Sequence, residues 1–357
     1  MKKKTIIAIS ALALCALSVS CNKEDKTEAL LNAAYTNNAA QARRLIWTGA
    51  DVNARSESSD HDTALIEAAR RNSAAVAKLL IKAGADLNAR SDDRWTKGWT
   101  PLMFAENEKS TDVAELLIKA GADLSAKDDY GKTVLMHAAS SNAADFVRLL
   151  IEAGADMNAK DDGGKTALMY AAIFNATDAA KVLMEAGADK DAKDIAYRTA
   201  FEHAVFKNAA GVAELLIKAG EDTSGKTNGD FNALINAAIN DSTDVVKLLI
   251  EMGADVNAKD VDGDTPLMCA AGHGAEKAVK LLIEEGADVN AKNDEGMTAF
   301  MYAVLHEAVT TMQILIQAGA DVNAQDNEGK TALEIAIEHS AEEDFVDAYL
   351  RGTLFEE

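Results

Sequence analysis

The hydrophobic and polar positions of this chain repeat with a period of about 33 residues. Each copy has two short apolar clusters with helical spacing, a polar stop between them, and a polar stretch with turn residues after them. In residues 260–292, the first cluster spans 267–271 and the second spans 279–283. The pattern predicts a helix, a turn, a second helix and an extended hairpin in every copy. We call this hairpin the finger.

A glycine after the second apolar cluster marks the period. It stands at Gly49, Gly84, Gly121, Gly154, Gly187, Gly220, Gly253, Gly286 and Gly319. The last six intervals are all 33 residues, whereas the first two are 35 and 37. A fixed period of this length is typical of a solenoid of stacked units and not of one wrapped core.

Turn chemistry supports the predicted helix boundaries. Thr265 can cap the first helix of its copy, and Pro266 suits the first turn, where no N–H is needed. Gly274 ends this helix. Five other copies have asparagine at that place: Asn37, Asn72, Asn142, Asn175 and Asn208. Because Asn is the commonest substitute for Gly in the left-handed conformation, we expect left-handed helix stops there.

With these features the chain resembles the ankyrin-repeat family. Thr-Pro-Leu-Met-Cys-Ala-Ala at 265–271 and Leu-Leu-Ile-Glu-Glu-Gly-Ala-Asp-Val-Asn-Ala at 281–291 are similar to the family signature. The resemblance covers residues 27–352. It implies an all-α repeat fold, an ankyrin solenoid of about ten units that forms a curved arc, with atypical first and last repeats as caps.

The chain departs from the family pattern in two ways. The histidine of the first helix is replaced by methionine in five copies, which suits an apolar, adaptable contact. These residues are Met103, Met136, Met169, Met268 and Met301. The copy at 194–226 is the weakest, with Tyr197 where a turn glycine belongs, and the next copy has Asp230 there. We expect the least regular finger in this region.

The first twenty residues form a separate segment. A basic start at 2–4 and an apolar run at 6–17 precede Ser-Val-Ser-Cys at 18–21, which is similar to a bacterial lipoprotein cleavage box, although Ser18 replaces the usual Leu. We predict a lipoprotein signal peptide at 1–20, lipidation at Cys21, a lipidated tether at 21–26 and the ankyrin array at 27–357. An ordinary secretory signal or a short membrane anchor is the alternative.

This resemblance implies an exported bacterial lipoprotein of the outer membrane, on its periplasmic face or at the cell surface. The net charge of −22 disfavours nucleic acid and anionic lipid headgroups, so we expect no nucleic-acid partner. Of the three cysteines only Cys269 would remain as a free thiol after processing and lipidation, which excludes a disulfide within one chain.

Residues with catalytic or metal-binding chemistry do not form a recognisable set. His273, His306 and His339 share one register on successive copies, about 10 Å apart, which is too far for direct ligands of one metal ion. We expect them to be solvated. Cys269 falls at a core-facing position without a nearby base, which favours a buried, inert thiol.

Two short motifs resemble ligand loops without meeting their requirements. Gly-Lys-Thr at 131–133, 164–166 and 329–331 lacks the earlier glycine of a phosphate loop. The acidic turn at 260–264 lacks the frame and the bidentate glutamate of a calcium loop. We therefore predict no enzyme activity, no cofactor and no metal.

Partners of ankyrin repeats usually lie against the concave side, formed by the finger tips and the exposed ends of the first helices. Apolar residues at these positions, some beside Arg and Lys, are typical of interface anchors. The predicted partner-binding residues are Trp95, Trp99, Tyr130, Ile173, Phe174, Phe206, Phe231 and Ile239. The alternatives are packing of the central cluster against the next repeat and folding of the tryptophans back onto the long finger at 91–99.

The sequence thus predicts a non-enzymatic protein–protein interaction module that is membrane-anchored and exported. An accessory or protective subunit that stabilises an exported enzyme is the alternative. A ligand-binding protein or an enzyme hidden in the repeats is a more remote one, because no convergent polar site is visible in the sequence.

Overall fold

The computed structural model describes residues 23–56, 61–220 and 232–338. Within these ranges a 13-residue helix is followed by helices of nine and seven residues in alternation, 19 in all. Their β pairing is limited to two isolated bridges, Arg55–Thr63 and Gln325–Thr331. The predicted all-α repeat fold is confirmed.

Each repeat contributes a first and a second helix. The first helices are α1 (Lys23–Tyr35), α3 (Ala64–Arg70), α5 (Pro101–Asn107), α7 (Val134–Ser140), α9 (Ala167–Ile173), α11 (Ala200–Phe206), α13 (Ala233–Ile239), α15 (Pro266–Gly272), α17 (Ala299–Leu305) and α19 (Ala332–Glu338). The second helices are α2 (Ala39–Trp47), α4 (Ala74–Lys82), α6 (Thr111–Lys119), α8 (Ala144–Glu152), α10 (Thr177–Glu185), α12 (Ala210–Lys218), α14 (Thr243–Glu251), α16 (Glu276–Glu284) and α18 (Val309–Gln317).

Threonine and methionine cap the first helices together. Thr265 Oγ1 accepts a hydrogen bond from Met268 N at 3.3 Å, and Thr265 N donates to Met268 Sδ at 3.4 Å. The same donation to sulfur recurs in three pairs: Thr133–Met136, Thr166–Met169 and Thr298–Met301. Methionine thus takes the place of the Glu or Gln of an ordinary capping box while its side chain stays buried. The sequence prediction of an apolar contact was correct but missed this hydrogen bond.

The predicted left-handed helix stops are confirmed. Gly274 has φ of 64°, and the five asparagines have φ between 49° and 55°. Lys109, Asp241 and Glu307 adopt the same conformation at this place in three further copies. A turn of fixed geometry therefore joins the two helices of a repeat even where the residue is unfavourable for it.

The core consists of small and branched side chains shared between neighbouring helices. In α15 and α16 the buried residues include Leu267, Ala271, Val279 and Leu282, each with 0% exposure. Alanine lets successive first helices approach closely, while leucine and valine fill the space between first and second helices. Burial of these apolar side chains is the main stabilising term, at about 25 cal/mol per Å² of apolar surface.

Asparagine side chains tie each finger to the next one. Asn53 Oδ1 accepts a hydrogen bond from Asp86 N at 2.7 Å. The equivalent bonds join Asn88 to Asp123, Asn158 to Asp189, Asn257 to Asp288 and Asn290 to Asp321, with lengths of 2.8–2.9 Å. In each of these bonds the backbone N–H of one copy donates to the asparagine side chain of the preceding copy.

A row of basic side chains makes a second set of ties. Lys127 Nζ donates to Lys160 O at 2.8 Å, and Lys160 Nζ donates to Lys193 O at 2.8 Å. The same donation is made by Arg55 to Arg90, Arg90 to Lys127, Lys259 to Lys292 and Lys292 to Gln325. These cations satisfy backbone carbonyls that the short fingers leave unpaired, which the sequence analysis did not anticipate.

The array is organised as two compact units. The first comprises the described residues up to 170 together with 182–196, and the second comprises 171–181 and the described residues from 197 onward. Tyr197 has φ of 61°, so it adopts the conformation of the turn glycine that it replaces. The other part of the expected irregular finger, including Asp230, lies at 221–231, outside the described residues.

Candidate partner-binding surface

The long finger of the first unit is a closed hairpin. Ser91 N donates to Trp99 O at 2.9 Å and Gly98 N donates to Ser91 O at 2.8 Å. At its tip, Asp93 Oδ2 accepts hydrogen bonds from Trp95 N, Thr96 N and Thr96 Oγ1. Burial acts to raise the pKa of Asp93, but these hydrogen bonds outweigh it and hold the pKa below its usual value. The tip is therefore an ordered turn around an ionised carboxylate.

The two tryptophans of this finger have different environments. Trp95 at the tip is 80% exposed, and the guanidinium of Arg94 lies 5.3 Å from its ring centroid. Trp99 at the base is half-buried and meets Phe104 and His137 edge-on, with ring centroids 5.3 and 4.8 Å away. Trp99 thus packs against helix residues of two repeats and not back onto the long finger, which was the alternative considered from the sequence, while Trp95 is exposed.

Charged groups fix the base of this finger. His137 Nε2 lies 2.9 Å from Asp128 Oδ2, and the Asp128 side chain is buried. Burial acts to raise the pKa of Asp128, but hydrogen bonds from His137 and from backbone N–H groups outweigh it and lower the pKa. On the other side of Phe104, Arg70 lies 4.6 Å from the ring centroid and pairs with Asp62 at 2.5 Å. Trp99 therefore belongs to a packed network that spans several repeats.

Backbone hydrogen bonds join successive finger tips of the first unit. Asp129 N donates to Lys97 O at 3.3 Å, Asp162 N to Tyr130 O at 3.5 Å, and Ile195 N to Gly163 O at 3.1 Å. Tyr130 is 65% exposed and Ile195 is 75% exposed. We call Trp95, Tyr130 and Ile195 the finger patch. Sequence reasoning missed Ile195, although its position at a finger tip was readable from the repeat register.

Basic and acidic groups surround the finger patch. Arg90 and Lys97 both pair with Asp129, at 2.6 and 3.2 Å. These two hydrogen bonds lower the pKa of Asp129. Lys132 Nζ lies 4.6 Å from the ring centroid of Tyr170. The arrangement offers large apolar side chains with charged neighbours, which is the composition of a contact surface.

The predicted central cluster lies in the second unit. Its members are Ile173, Phe174, Phe206 and Ile239, which we call the helix-end patch. Phe174 is 58% exposed, whereas the other three are half-buried. Packing against neighbouring helix ends thus accounts for part of this patch and leaves Phe174 as its accessible member. Phe231 lies outside the described residues.

One group in the described residues has the spacing of metal ligands. Oxygen atoms of Asp260 and Asp264 and the sulfur of Cys269 lie within 4.8 Å of one another. Burial raises the pKa of the Cys269 thiol to about 12, so the free thiol is protonated at neutral pH. Asp264 already accepts hydrogen bonds from Asn293 and Tyr302. The sequence predicted a core-facing Cys269, but the residue is only half-buried. Its raised pKa agrees with the predicted inert thiol.

Two of the three histidines that share one register on successive copies lie at the surface. His273 and His306 are exposed, and His273 Nδ1 lies 2.9 Å from Cys269 O in its own helix. The solvated position expected for both is confirmed. His339 lies outside the described residues.

Comparison with protein-family models identifies the repeat. A model of three ankyrin repeats matches residues 7–91, 30–128, 89–161, 126–194 and 201–293, and a model of many ankyrin repeats matches 282–336. The chain belongs to the ankyrin-repeat family. A search of curated proteins found no match. Ankyrin repeats are typically non-enzymatic modules that bind other proteins, and large apolar side chains are exposed at the finger tips and first-helix ends described above.

Proposed function

We propose that this ankyrin protein is a non-enzymatic, membrane-anchored and exported module that binds a partner protein. The observation that carries the proposal is the exposure of Trp95 and Tyr130 on neighbouring fingers whose bases are held by packed and hydrogen-bonded groups. A large apolar side chain kept in water by a rigid support is a favourable binding anchor, because little conformational entropy is lost on contact.

The charge of the chain indicates the chemistry of the partner. A net charge of −22 favours association with a neutral or basic surface, which acidic repeats attract over the Debye length of about 8–10 Å. The finger patch adds local bases, Arg94 and Lys97, so acidic side chains are expected near the recesses that accept Trp95 and Tyr130. The helix-end patch would contribute through Phe174.

Membrane anchoring is the second part of the proposal. It rests on the cleavage box at 18–21, which lies outside the described residues. None of the helices in the described part of the chain has the length and apolar character of a membrane span. Several acyl chains on Cys21 would give stable attachment, with the acidic array held beside the outer membrane.

Crosslinking in the native cell tests the partner. The double variant Trp95→Ala/Tyr130→Ala is expected to lose a crosslinked protein that the wild type captures, and Phe174→Ser/Phe206→Ser is expected to weaken the same capture. The control is Trp47→Ala, because Trp47 is 87% exposed but stands at the end of α2, outside both patches. Equal capture by all variants with unchanged helical circular dichroism would refute the proposed surface.

Labelling with an acyl-chain analogue tests the anchor. Cys21→Ser is expected to abolish labelling and to release the protein from the membrane fraction, since one side chain carries the lipid. Labelling that persists in Cys21→Ser, or membrane retention without any label, would contradict lipidation at this residue. Protease treatment of intact cells then distinguishes the cell surface from the periplasmic face.

The alternative role, an accessory subunit of an exported enzyme, predicts a different result from a module that exchanges its partners. It requires one partner enzyme, present in a fixed ratio and unstable when this chain is deleted. A partner that keeps its abundance in the deletion strain would exclude that role and leave the exchangeable module.

A further inference from the structure

A buried carboxylate stands at an otherwise apolar position of the first helices. Glu106 in α5 is 4% exposed. The equivalent position carries isoleucine, Ile337, in the last copy and alanine or valine in the other eight: Ala34, Ala69, Ala139, Ala172, Val205, Ala238, Ala271 and Val304. A buried carboxylate is unfavourable unless it is hydrogen-bonded or paired, so its presence here needs a reason.

The hydrogen bonding of Glu106 is incomplete. Ser141 Oγ donates to Oε1 at 2.7 Å. Within the described ranges, Oε2 accepts no hydrogen bond and Glu106 forms no ion pair. Burial raises the pKa of Glu106, although Ser141, His137 and Lys109 oppose that shift. A carboxylate in this setting gains from a donor that arrives from outside the protein.

The same place holds a second exception. Phe146 in α8 is 7% exposed, and the equivalent residue is smaller in the copies before and after it. These smaller residues are Val76, Val113, Ala179, Val212, Val245, Ala278 and Thr311. The larger side chain of Phe146 gives this repeat an apolar lining residue that the other copies lack.

Phe146 adjoins a groove. The helices α6 and α8 are the second helices of neighbouring repeats. Between them lies a groove of about 590 Å³ lined by Glu106, Ser141 and Phe146 among others. This volume falls in the range of small-molecule sites, about 300–1,000 Å³.

The lining of the groove selects a ligand class. Phe146 and Leu149 provide an apolar wall, while Asp145 and Glu152 add carboxylates toward its mouth. Glu115 also lines it but is paired with Lys119 at 2.7 Å. Lys109 and Arg148 supply the positive lining groups, fewer than the negative ones. Since Ser141 already occupies Oε1, one free oxygen remains, which suits the point charge of an ammonium better than a bidentate guanidinium.

We propose that the groove between α6 and α8 binds a small primary alkylammonium compound, with its ammonium on Glu106 Oε2 and its apolar stem along Phe146 and Leu149. This site lies on the second helices and at the helix–helix turns, away from the finger patch. It is independent of the proposed partner protein.

Calorimetric titration of the full-length protein with 1,5-diaminopentane tests the site. The wild type is expected to show one saturable site, and Glu106→Gln is expected to weaken it about tenfold or more through loss of the charge-assisted hydrogen bond. Phe146→Val is expected to weaken binding because it removes the aromatic ring from the apolar wall of the groove. Glu106→Ala serves as a second variant. It is expected to fold, because most of the other copies have alanine at the equivalent position.

The matched control is Glu214→Gln. Glu214 occupies the position of Glu115 three repeats later and pairs with Lys218 as Glu115 pairs with Lys119, but it does not line the groove between α6 and α8. It is expected to bind like the wild type. Absence of saturable binding by the wild type, wild-type affinity in Glu106→Gln and Glu106→Ala, or equal loss in Glu214→Gln would overturn the proposal. Tighter binding of Nα-acetyl-lysine methylamide than of the diamine would also overturn it, since the occupant would then be a lysine of another protein.

Discussion

At the scale of single residues, this chain keeps the geometry of its repeat while changing the side chains that provide it. Methionine sulfur replaces a carboxylate in the capping of four first helices. Asparagine replaces glycine at the left-handed stop. The stop was predictable because the residue type carries the backbone preference itself. The sulfur hydrogen bond was not, because it depends on a rotamer fixed by burial.

The left-handed stop gives a residue-scale prediction. Asn72 has φ of 49° and an exposed side chain. Asn72→Ala is expected to destabilise the fold by about 1 kcal/mol, because alanine is strained at positive φ. Asn72→Gly should stay within about 0.5 kcal/mol of the wild type. Urea midpoints of the three proteins measure this, and equal midpoints for the alanine and glycine variants would show that the turn relaxes.

At the scale of elements, the long finger shows where sequence reasoning stopped. The interval of 37 residues located the insertion and its two tryptophans. The assignment of Trp95 to the surface and Trp99 to the interior depends on Phe104 and His137, which come from two different repeats. Contacts between repeats of this kind are not contained in the periodic pattern, and neither is the groove between α6 and α8.

The two tryptophans provide a matched pair of variants. Trp99→Ala is expected to destabilise the fold by about 2 kcal/mol, less than the about 3–5 kcal/mol of a fully buried aromatic residue. Trp95→Ala should change stability by less than about 0.5 kcal/mol. Thermal unfolding followed by circular dichroism distinguishes them, and a larger loss in Trp95→Ala would mean that the finger tip is packed in solution.

The groove between α6 and α8 has its own pH dependence. The pKa of Glu106 in the folded chain is raised above its ordinary value of 4.5 by burial, with Ser141, His137 and Lys109 opposing. The folded state then binds this proton more tightly than the unfolded state, so stability falls as pH rises from about 4.5 through the folded pKa. Glu106→Gln is expected to remove this fall and to be more stable at pH 7. Urea titrations between pH 4 and 8 measure it; parallel curves for both proteins would contradict the assignment.

At the scale of the whole molecule, stability is distributed over contacts between neighbouring repeats. The repeat period, the family and the helix positions follow from the sequence because every copy contains the same signals. The exposed fraction of the helix-end patch did not follow, because the tightness of packing of Phe206 and Ile239 depends on the side chains of adjacent copies. The division into two compact units was equally invisible in the glycine spacing.

The asparagine ties give a prediction at this scale. Asn257→Ala removes the hydrogen bond from Asp288 N and is expected to destabilise the second unit by about 1 kcal/mol. Because each repeat contacts only its neighbours, faster amide hydrogen exchange should be confined to the fingers around 255–291. Asn53→Ala is the control and should affect the finger at Asp86 instead. A uniform increase over the chain would show cooperative unfolding of all repeats.

The two groups joined by each asparagine or basic side-chain tie are also synthesised in a fixed order. In every pair the side chain belongs to the earlier copy and the backbone group to the later one. A ribosome makes the earlier copy first and, at about 5–20 residues per second, needs roughly 2–7 s for the next 33 residues. Each repeat that emerges after its predecessor therefore meets a template whose hydrogen-bonding groups are already in place, which favours growth of the array from its amino-terminal end.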